Sequence, residues 1–198
     1  MEKYVLKKAL DVHTPVNELL MTPFEEILFK KYTDKVTYVG HPLADNTKFL
    51  IKFDEYEKKK IDIGIFPGSR DSEIRNNLHS MLNCVKLSKN EDIKSKNIKI
   101  FYSNNTAKKT IMKLLPNDWE GLLADGKNIK EVQSCKKAIT ASGTITLELA
   151  LLNIPMVIMY KLAFFTYLIM KSMVKIKYIG LVNLILGDEL GAKPVVRE

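Results

Sequence analysis

Two short turns carry the residue types that hold an anion. Phe66-Pro67-Gly68-Ser69-Arg70 closes an apolar run, and Ser142-Gly143-Thr144-Ile145-Thr146-Leu147-Glu148 opens a helical one. In the first, Gly68 lets the backbone turn tightly and approach a phosphate. Ser69 offers a hydroxyl, and Arg70 offers a guanidinium that can grip a pyrophosphate through two N–H groups. If the pyrophosphate belongs to a departing nucleoside diphosphate, a fixed Arg70 also stabilises charge that grows as the bond breaks. That makes it the catalytic candidate. The plain alternative is a Pro-Gly turn carrying a surface arginine, and the motif alone does not decide.

The second turn says more. Ser142 is expected to cap a helix, leaving the N–H groups of Gly143 and Thr144 to face an anion at the positive end of the helix dipole. Glu148 falls four residues after Thr144, on the same helix face. Its carboxylate can accept both hydroxyls of a ribose whose phosphates lie at the helix start. A capped helix with a solvated glutamate is the alternative. Leu147 and Leu149 flank Glu148 between apolar strands, however, where a carboxylate without a partner is costly. The two turns together suit a nucleoside diphosphate.

Other chemistry-bearing residues stand apart. His41 precedes Pro42 in a glycine-flanked loop, and nothing near it completes a dyad or a metal shell, so it reads as a structural hydrogen-bonding residue. His13 and His79 have no partners in sequence, and no metal or cofactor is expected. Asp45 and Asn46 suit the cap of a following helix. The two cysteines, Cys84 and Cys135, make no redox or metal spacing. Cys84 lies on the apolar side of a helical pattern and reads as a buried free thiol in a reducing compartment.

The elements that must position these turns alternate. Ile61–Phe66 is an apolar strand, and Ile74, Leu78, Met81, Leu82 and Val85 repeat as the apolar stripe of a helix. Ile98–Tyr102 is a second strand, followed by a helix over about Ala107–Leu115 that Pro116 stops. A short helix at about Ile129–Ser134 leads into strand Ala138–Ala141, helix Thr144–Leu152 and strand Pro155–Tyr160. A strongly apolar helix from about Phe164 to Val174 ends the series. Strands joined by helices predict an α/β fold, a Rossmann-like parallel sheet flanked by helices, with its ligand beyond the carboxyl ends of the strands. Both turns fall at that edge. Residues 1–40 are less regular: 1–20 give no pattern, Tyr38-Val39-Gly40-His41-Pro42 resembles a strand entering a loop, and the stretch reads as a linker.

With 198 residues, 46% hydrophobic and 27% charged, the chain suits one soluble domain of ordinary size. The net charge of +8 comes mostly from scattered lysines such as Lys58-Lys59-Lys60, Lys108-Lys109 and Lys136-Lys137. No Arg-rich arm, zinc spacing or aromatic-basic motif accompanies them, which argues against specific nucleic-acid binding. Compositional bias explains them most simply, and a surface favouring an anionic lipid or nucleotide comes next. The charged N-terminus is not a secretory signal. The longest uncharged run in the chain, Leu149–Tyr160, has 12 residues, short of the ~20 a bilayer needs. Lys171, Lys175 and Lys177 end the Phe164 helix. They suit contact with an anionic membrane surface, or a core helix whose dipole they complement.

In chain order, Pro23-Phe24-Glu25, Tyr38-Val39-Gly40-His41-Pro42-Leu43-Ala44-Asp45, Phe66-Pro67-Gly68-Ser69-Arg70 with Glu73-Ile74, Ala141-Ser142-Gly143-Thr144 through Leu147-Glu148, Pro155-Met156-Val157-Ile158-Met159-Tyr160-Lys161, and Asn183-Leu184 with Gly187 together resemble bacterial lipid-A-disaccharide synthase. The resemblance covers roughly Pro23 to the end. It implies one domain of a GT-B glycosyltransferase, acting at the cytoplasmic side of the inner membrane as a peripheral enzyme. It further implies transfer of 2,3-diacylglucosamine from its UDP donor to 2,3-diacylglucosamine 1-phosphate (lipid X), releasing UDP with inversion and without metal. Gly68, Ser69, Arg70, Ser142, Gly143, Thr144 and Glu148 then become UDP-binding residues. Asn183 joins them through the family's P-N-L position, although Val182 replaces the proline.

Departures accompany the matches. A full member is nearly twice as long, and its N-terminal half, with the acceptor site and presumed catalytic Asp, has no counterpart here. Nor has the C-terminal segment that returns to cross the first domain. Phe66 stands where the family usually has Leu. The expectation is a fragment, an engineered domain or a truncated product: residues 1–40 a linker or N-terminal-domain remnant, residues 41–198 the UDP-sugar-binding domain. Such a chain is expected to bind UDP weakly and to lack transferase activity by itself. Two other classes stay open. One is another GT-B UDP-sugar transferase or a UDP-sugar epimerase; the other is a non-enzymatic membrane-surface module built on the Phe164 helix.

Overall fold

The computed structural model describes residues 18–20, 26, 29–45, 60–87, 97–116, 119, 122–159, 161 and 183. They belong to two compact units, Met1–Asp45 and Asn46–Glu198. The expected Phe164–Val174 helix, with Lys171, Lys175 and Lys177, lies outside the described residues, as do Asn46 and Tyr160. Among the described residues no helix is long and apolar enough to cross a membrane.

In the first unit, strands β1 (Glu18–Leu20) and β2 (Val36–Tyr38) pair in parallel, with Leu19 opposite Thr37. No sequence pattern announced β1, because three residues are too few to establish an alternation. A 3-10 turn at Pro42–Asp45 follows. The Leu43 N–H donates to His41 Nδ1 at 3.2 Å, the structural hydrogen bond expected of this histidine.

The second unit is built on five parallel strands. They are β3 (Ile61–Phe66), β4 (Ile98–Tyr102), β5 (Leu123–Asp125), β6 (Cys135–Thr140) and β7 (Met156–Ile158), in the order β5-β4-β3-β6-β7. Between them run helices α1 (Asp71–Lys86), α2 (Asn105–Leu114), α3 (Ile129–Gln133) and α4 (Ile145–Leu151). β3 is a nearly continuous apolar run because it is the central strand and is covered on both faces. On one face Ile63, Ile65 and Ile100 pack against Ile74, Leu78, Met81 and Leu82 of α1 and Ile111 of α2. On the other, Phe66, Phe101 and Ala138 pack with Val132 of α3 and Leu149 of α4. Phe66 stacks on Phe101 with ring centroids 4.7 Å apart, so the larger side chain at this position has a partner on the adjacent strand.

Local chemistry sets the boundaries. Asn104 Oδ1 accepts the Ala107 N–H at 2.8 Å, starting α2 two residues before the apolar stripe suggests, and Pro116 follows its end. β6 begins at Cys135 rather than Ala138. Lys136 and Lys137 point to solvent and hide the strand from a reading based on apolar runs. Lys136 Nζ meets Asp62 Oδ1 on neighbouring β3 at 2.7 Å. β5, another three-residue strand, was not expected. Cys84 is exposed, not buried, while Cys135 is buried. Cys84 occupies the margin of the α1 stripe, with its Sγ 3.9 Å from Met159 Sδ.

Candidate functional site

The strand order fixes where a ligand can approach. From β3 the chain winds outward through β4 and β5, then returns to the other side of β3 to add β6 and β7. In such sheets a crevice opens where the winding reverses, beyond the carboxyl ends of the two central strands. Here those strands are β3 and β6. Phe66 and Thr140, their last residues, are register partners, and the Ala141 N–H donates to the Phe66 carbonyl at 2.8 Å. The turns singled out in the sequence therefore leave adjacent strands side by side.

In the turn after β3, Gly68 has φ +119°, a left-handed conformation that glycine tolerates. A Cβ there would also lie 2.9 Å from both Cβ and Oε2 of Glu73. Glu73 folds back over the turn. Its Oε2 accepts the N–H groups of Ser69 at 3.2 Å and Arg70 at 3.3 Å, and Oε1 accepts Arg70 Nη1 at 3.0 Å. The Glu73 side chain is only 15% exposed, against 80% for Arg70. Glu73 thus closes half of a capping box, bonding the N-cap backbone of α1 from three residues ahead. Sequence reading gave it no role, because Arg70 at the N-cap conceals the usual Ser/Thr signature. One residue on, Asp71 Oδ2 accepts Arg75 Nε at 2.6 Å, and Oδ1 accepts the Thr110 hydroxyl of α2 at 2.6 Å. These hydrogen bonds, that to Arg75 first, hold the Asp71 carboxyl below its ordinary range.

The turn after β6 differs from its expected form. Thr144, not Ser142, is the N-cap of α4, and it makes no side-chain capping bond. The first turn is tight, with the Thr146 N–H donating to the Gly143 carbonyl at 3.0 Å and the Thr146 hydroxyl to the same oxygen at 2.7 Å. That geometry draws the cap forward from Ser142, which is partly buried in the loop. Gly143 has φ +142°, and a Cβ built on it meets no atom of the described residues within 4 Å. Its need for glycine is conformational.

Glu148 sits in the first turn of α4, half-buried, beside the fully buried Leu149. Among the described residues its carboxylate has no hydrogen-bond or ion-pair partner, and burial pushes its pKa up. The structure thus brings Gly68, Ser69, Arg70, Ser142, Gly143, Thr144 and Glu148 to one sheet edge. Asn183 is fully buried in the same unit. One tether escaped the sequence reading. Buried Asn77 of α1 accepts the Lys161 N–H through Oδ1 at 2.9 Å, pinning the chain as it leaves β7. It is a contact over 84 positions that no local pattern could disclose.

Chemically, this edge carries the Ser69 and Arg70 N–H groups and the Arg70 guanidinium, held by Glu73, and the half-buried carboxylate of Glu148. Comparison with known proteins identifies the family. The lipid-A-disaccharide synthetase family model matches residues 5–198. Lipid-A-disaccharide synthase of Geobacter metallireducens is 31% identical over 175 residues, covering 85% of this chain and 45% of that protein. The Coxiella burnetii (strain Dugway 5J108-111) protein of the same name is 33% identical over 168 residues, 82% of this chain and 44% of its own length. That of Syntrophus aciditrophicus is 32% identical over 177 residues, 85% and 46%. The chain thus spans about half the length of these curated relatives. Its matched extent, with the five-stranded parallel sheet flanked by helices, leads to one conclusion: the chain belongs to the lipid-A-disaccharide synthetase family.

Proposed function

We propose that residues 41–198 form the donor-binding side of a lipid A glycosyltransferase, and residues 1–40 a linker or remnant of an N-terminal domain. The reaction transfers 2,3-diacylglucosamine from UDP-2,3-diacylglucosamine to lipid X, giving lipid A disaccharide 1-phosphate and UDP. The observation that carries this reading is Glu148. A half-buried carboxylate without a partner among the described residues is expensive to maintain, and a ribose supplies two hydroxyl donors for it. Gly68, Ser69, Arg70, Ser142, Gly143 and Thr144 hold the diphosphate, with Asn183 nearby. Arg70 stabilises the negative charge on departing UDP through charge-assisted hydrogen bonds. The acceptor site and the general base belong to the part of the relatives that this chain does not match. Family membership further suggests a peripheral enzyme at the cytoplasmic face of the inner membrane, whose anionic surface the chain's excess of lysines would favour.

Isothermal titration with UDP tests the site. Arg70→Ala and Glu148→Ala each weaken binding by about tenfold or more, the value of a hydrogen bond to a charged group. Unchanged affinity in both variants would remove the site. Incubated with the diacylated donor and lipid X, the 198-residue chain by itself is expected to release no UDP. Clear turnover would overturn the division of roles.

A further inference from the structure

The donors proposed to receive the diphosphate are already occupied. Glu73 sets one carboxylate oxygen between the Ser69 and Arg70 N–H groups, at 3.2 and 3.3 Å, and the other on Arg70 Nη1 at 3.0 Å. A phosphate bound at this turn would use the same three donors. The loop is shaped to its occupant as well, since a Cβ on Gly68 would collide with Glu73 Cβ and Oε2 at 2.9 Å.

We propose that Glu73 is an internal stand-in for the donor diphosphate, which must displace its carboxylate to bind; this rests on the donor-site reading above. In the empty protein the carboxylate keeps the two N–H groups and the guanidinium aligned and satisfied, so the turn does not collapse or capture passing anions. An incoming diphosphate carries more charge than a carboxylate and can reach further donors of the guanidinium, which is 80% exposed. Released Glu73 then faces solvent, and like-charge repulsion keeps it from returning while the ligand is present. At product release the carboxylate competes again for the same donors and helps to expel the diphosphate. Glu73 is thereby a gate on affinity rather than a substrate ligand.

Glu73→Gln tests this in the full chain, because the amide keeps the shape and still accepts backbone N–H groups while losing the charge. UDP and inorganic pyrophosphate are expected to bind Glu73→Gln about fivefold more tightly than wild type, the effect of removing one like charge near a solvent-exposed anion. Uridine affinity is expected to stay unchanged. Equal or weaker UDP binding in Glu73→Gln, with Arg70→Ala still weakening it, overturns the gate and leaves the donor site standing. If Arg70→Ala has no effect on UDP, the donor-site reading itself fails. Equal tightening for uridine also overturns the gate. A measurement on the unaltered chain supplements these. Titrating pyrophosphate should move the carboxyl carbon resonance of Glu73 together with the Ser69 and Arg70 amide signals. Amide shifts with a stationary Glu73 carboxyl overturn the displacement.

Discussion

The turns after β3 and β6 leave neighbouring strands in register, yet they solve the same problem in opposite ways. The β3 turn closes on itself, with Glu73 satisfying two backbone donors and the Arg70 guanidinium. Among the described residues the β6 turn stays open, with nothing within 4 Å of a Cβ built on Gly143 and, one turn on, Glu148 without a partner. One carboxylate stabilises its loop, and the other is held at a cost. A carboxylate beside a helix start is therefore not a uniform feature. Its contribution depends on whether folding gives it donors or takes its water away.

The two glycines give the largest test. Gly68→Ala adds a methyl group at φ +119° and drives it against Glu73, so it combines backbone strain with a collision. A loss of about 3 kcal/mol is expected by urea denaturation. Gly143→Ala meets no described neighbour and bears the strain alone, about 1 kcal/mol. Equal losses would mean that the β3 turn relaxes around the new methyl group, and the contrast between closed and open loops would weaken.

The same contrast explains what the sequence could disclose. β3 matched its expected limits, and α1 carried its full apolar stripe, because buried central elements repeat their pattern over enough residues to be recognised. Both turns were visible as Gly-containing breaks at strand ends. Three-residue β1 and β5 were not, and β6 was foreshortened by two exposed lysines. At the site, Glu148 was legible because Leu147 and Leu149 flag a polar residue in apolar surroundings. Glu73 was not, since its function comes from folding back on an N-cap that is an arginine. Asn77 with Lys161 and Asp71 with Thr110 join distant segments, and only the fold brings them together.

Neutralising the two glutamates should shift stability in opposite directions. Burial raises the pKa of Glu148, so the folded state holds its proton more tightly than the unfolded chain does. Its effect on stability therefore grows less favourable as pH rises from the ordinary value of 4.5 through the raised one. Glu148→Gln is expected to raise the Tm at neutral pH by about 2 °C while weakening UDP binding. That gain should vanish in acid well below 4.5, where both proteins are uncharged at this position. Glu73→Gln weakens a charge-assisted cap and lowers the Tm by about 2 °C. Calorimetry showing both shifts of one sign would break the comparison. A lower Tm for Glu148→Gln would mean that its carboxylate has found a protein partner in solution.

Asp71 supplies the smallest and most specific test, because it braces the closed turn without belonging to it. Its carboxylate joins the first turn of α1 to Arg75 on the same helix and to Thr110 on α2. Those bonds lower its pKa in the folded state below 3.8, so the stabilisation is fully present above that value. It is lost as pH falls through the lowered value, when the carboxyl gains a proton. Asp71→Asn should therefore flatten the acid limb of stability against pH below 3.8, with little difference from wild type in the slope at neutral pH. The effect is small because the pair lies at the surface, where water screens the charges. Urea midpoints across that range measure it. Arg75→Ala should reproduce most of the flattening and Thr110→Val less, in the order of the two hydrogen bonds' influence on the carboxyl. Neither should disturb the β6 turn, whose glutamate draws on no donor from α1 or α2 among the described residues. A matching change in the Glu148→Gln stability gain would show that the two loops are coupled, and that the closed turn braces the open one.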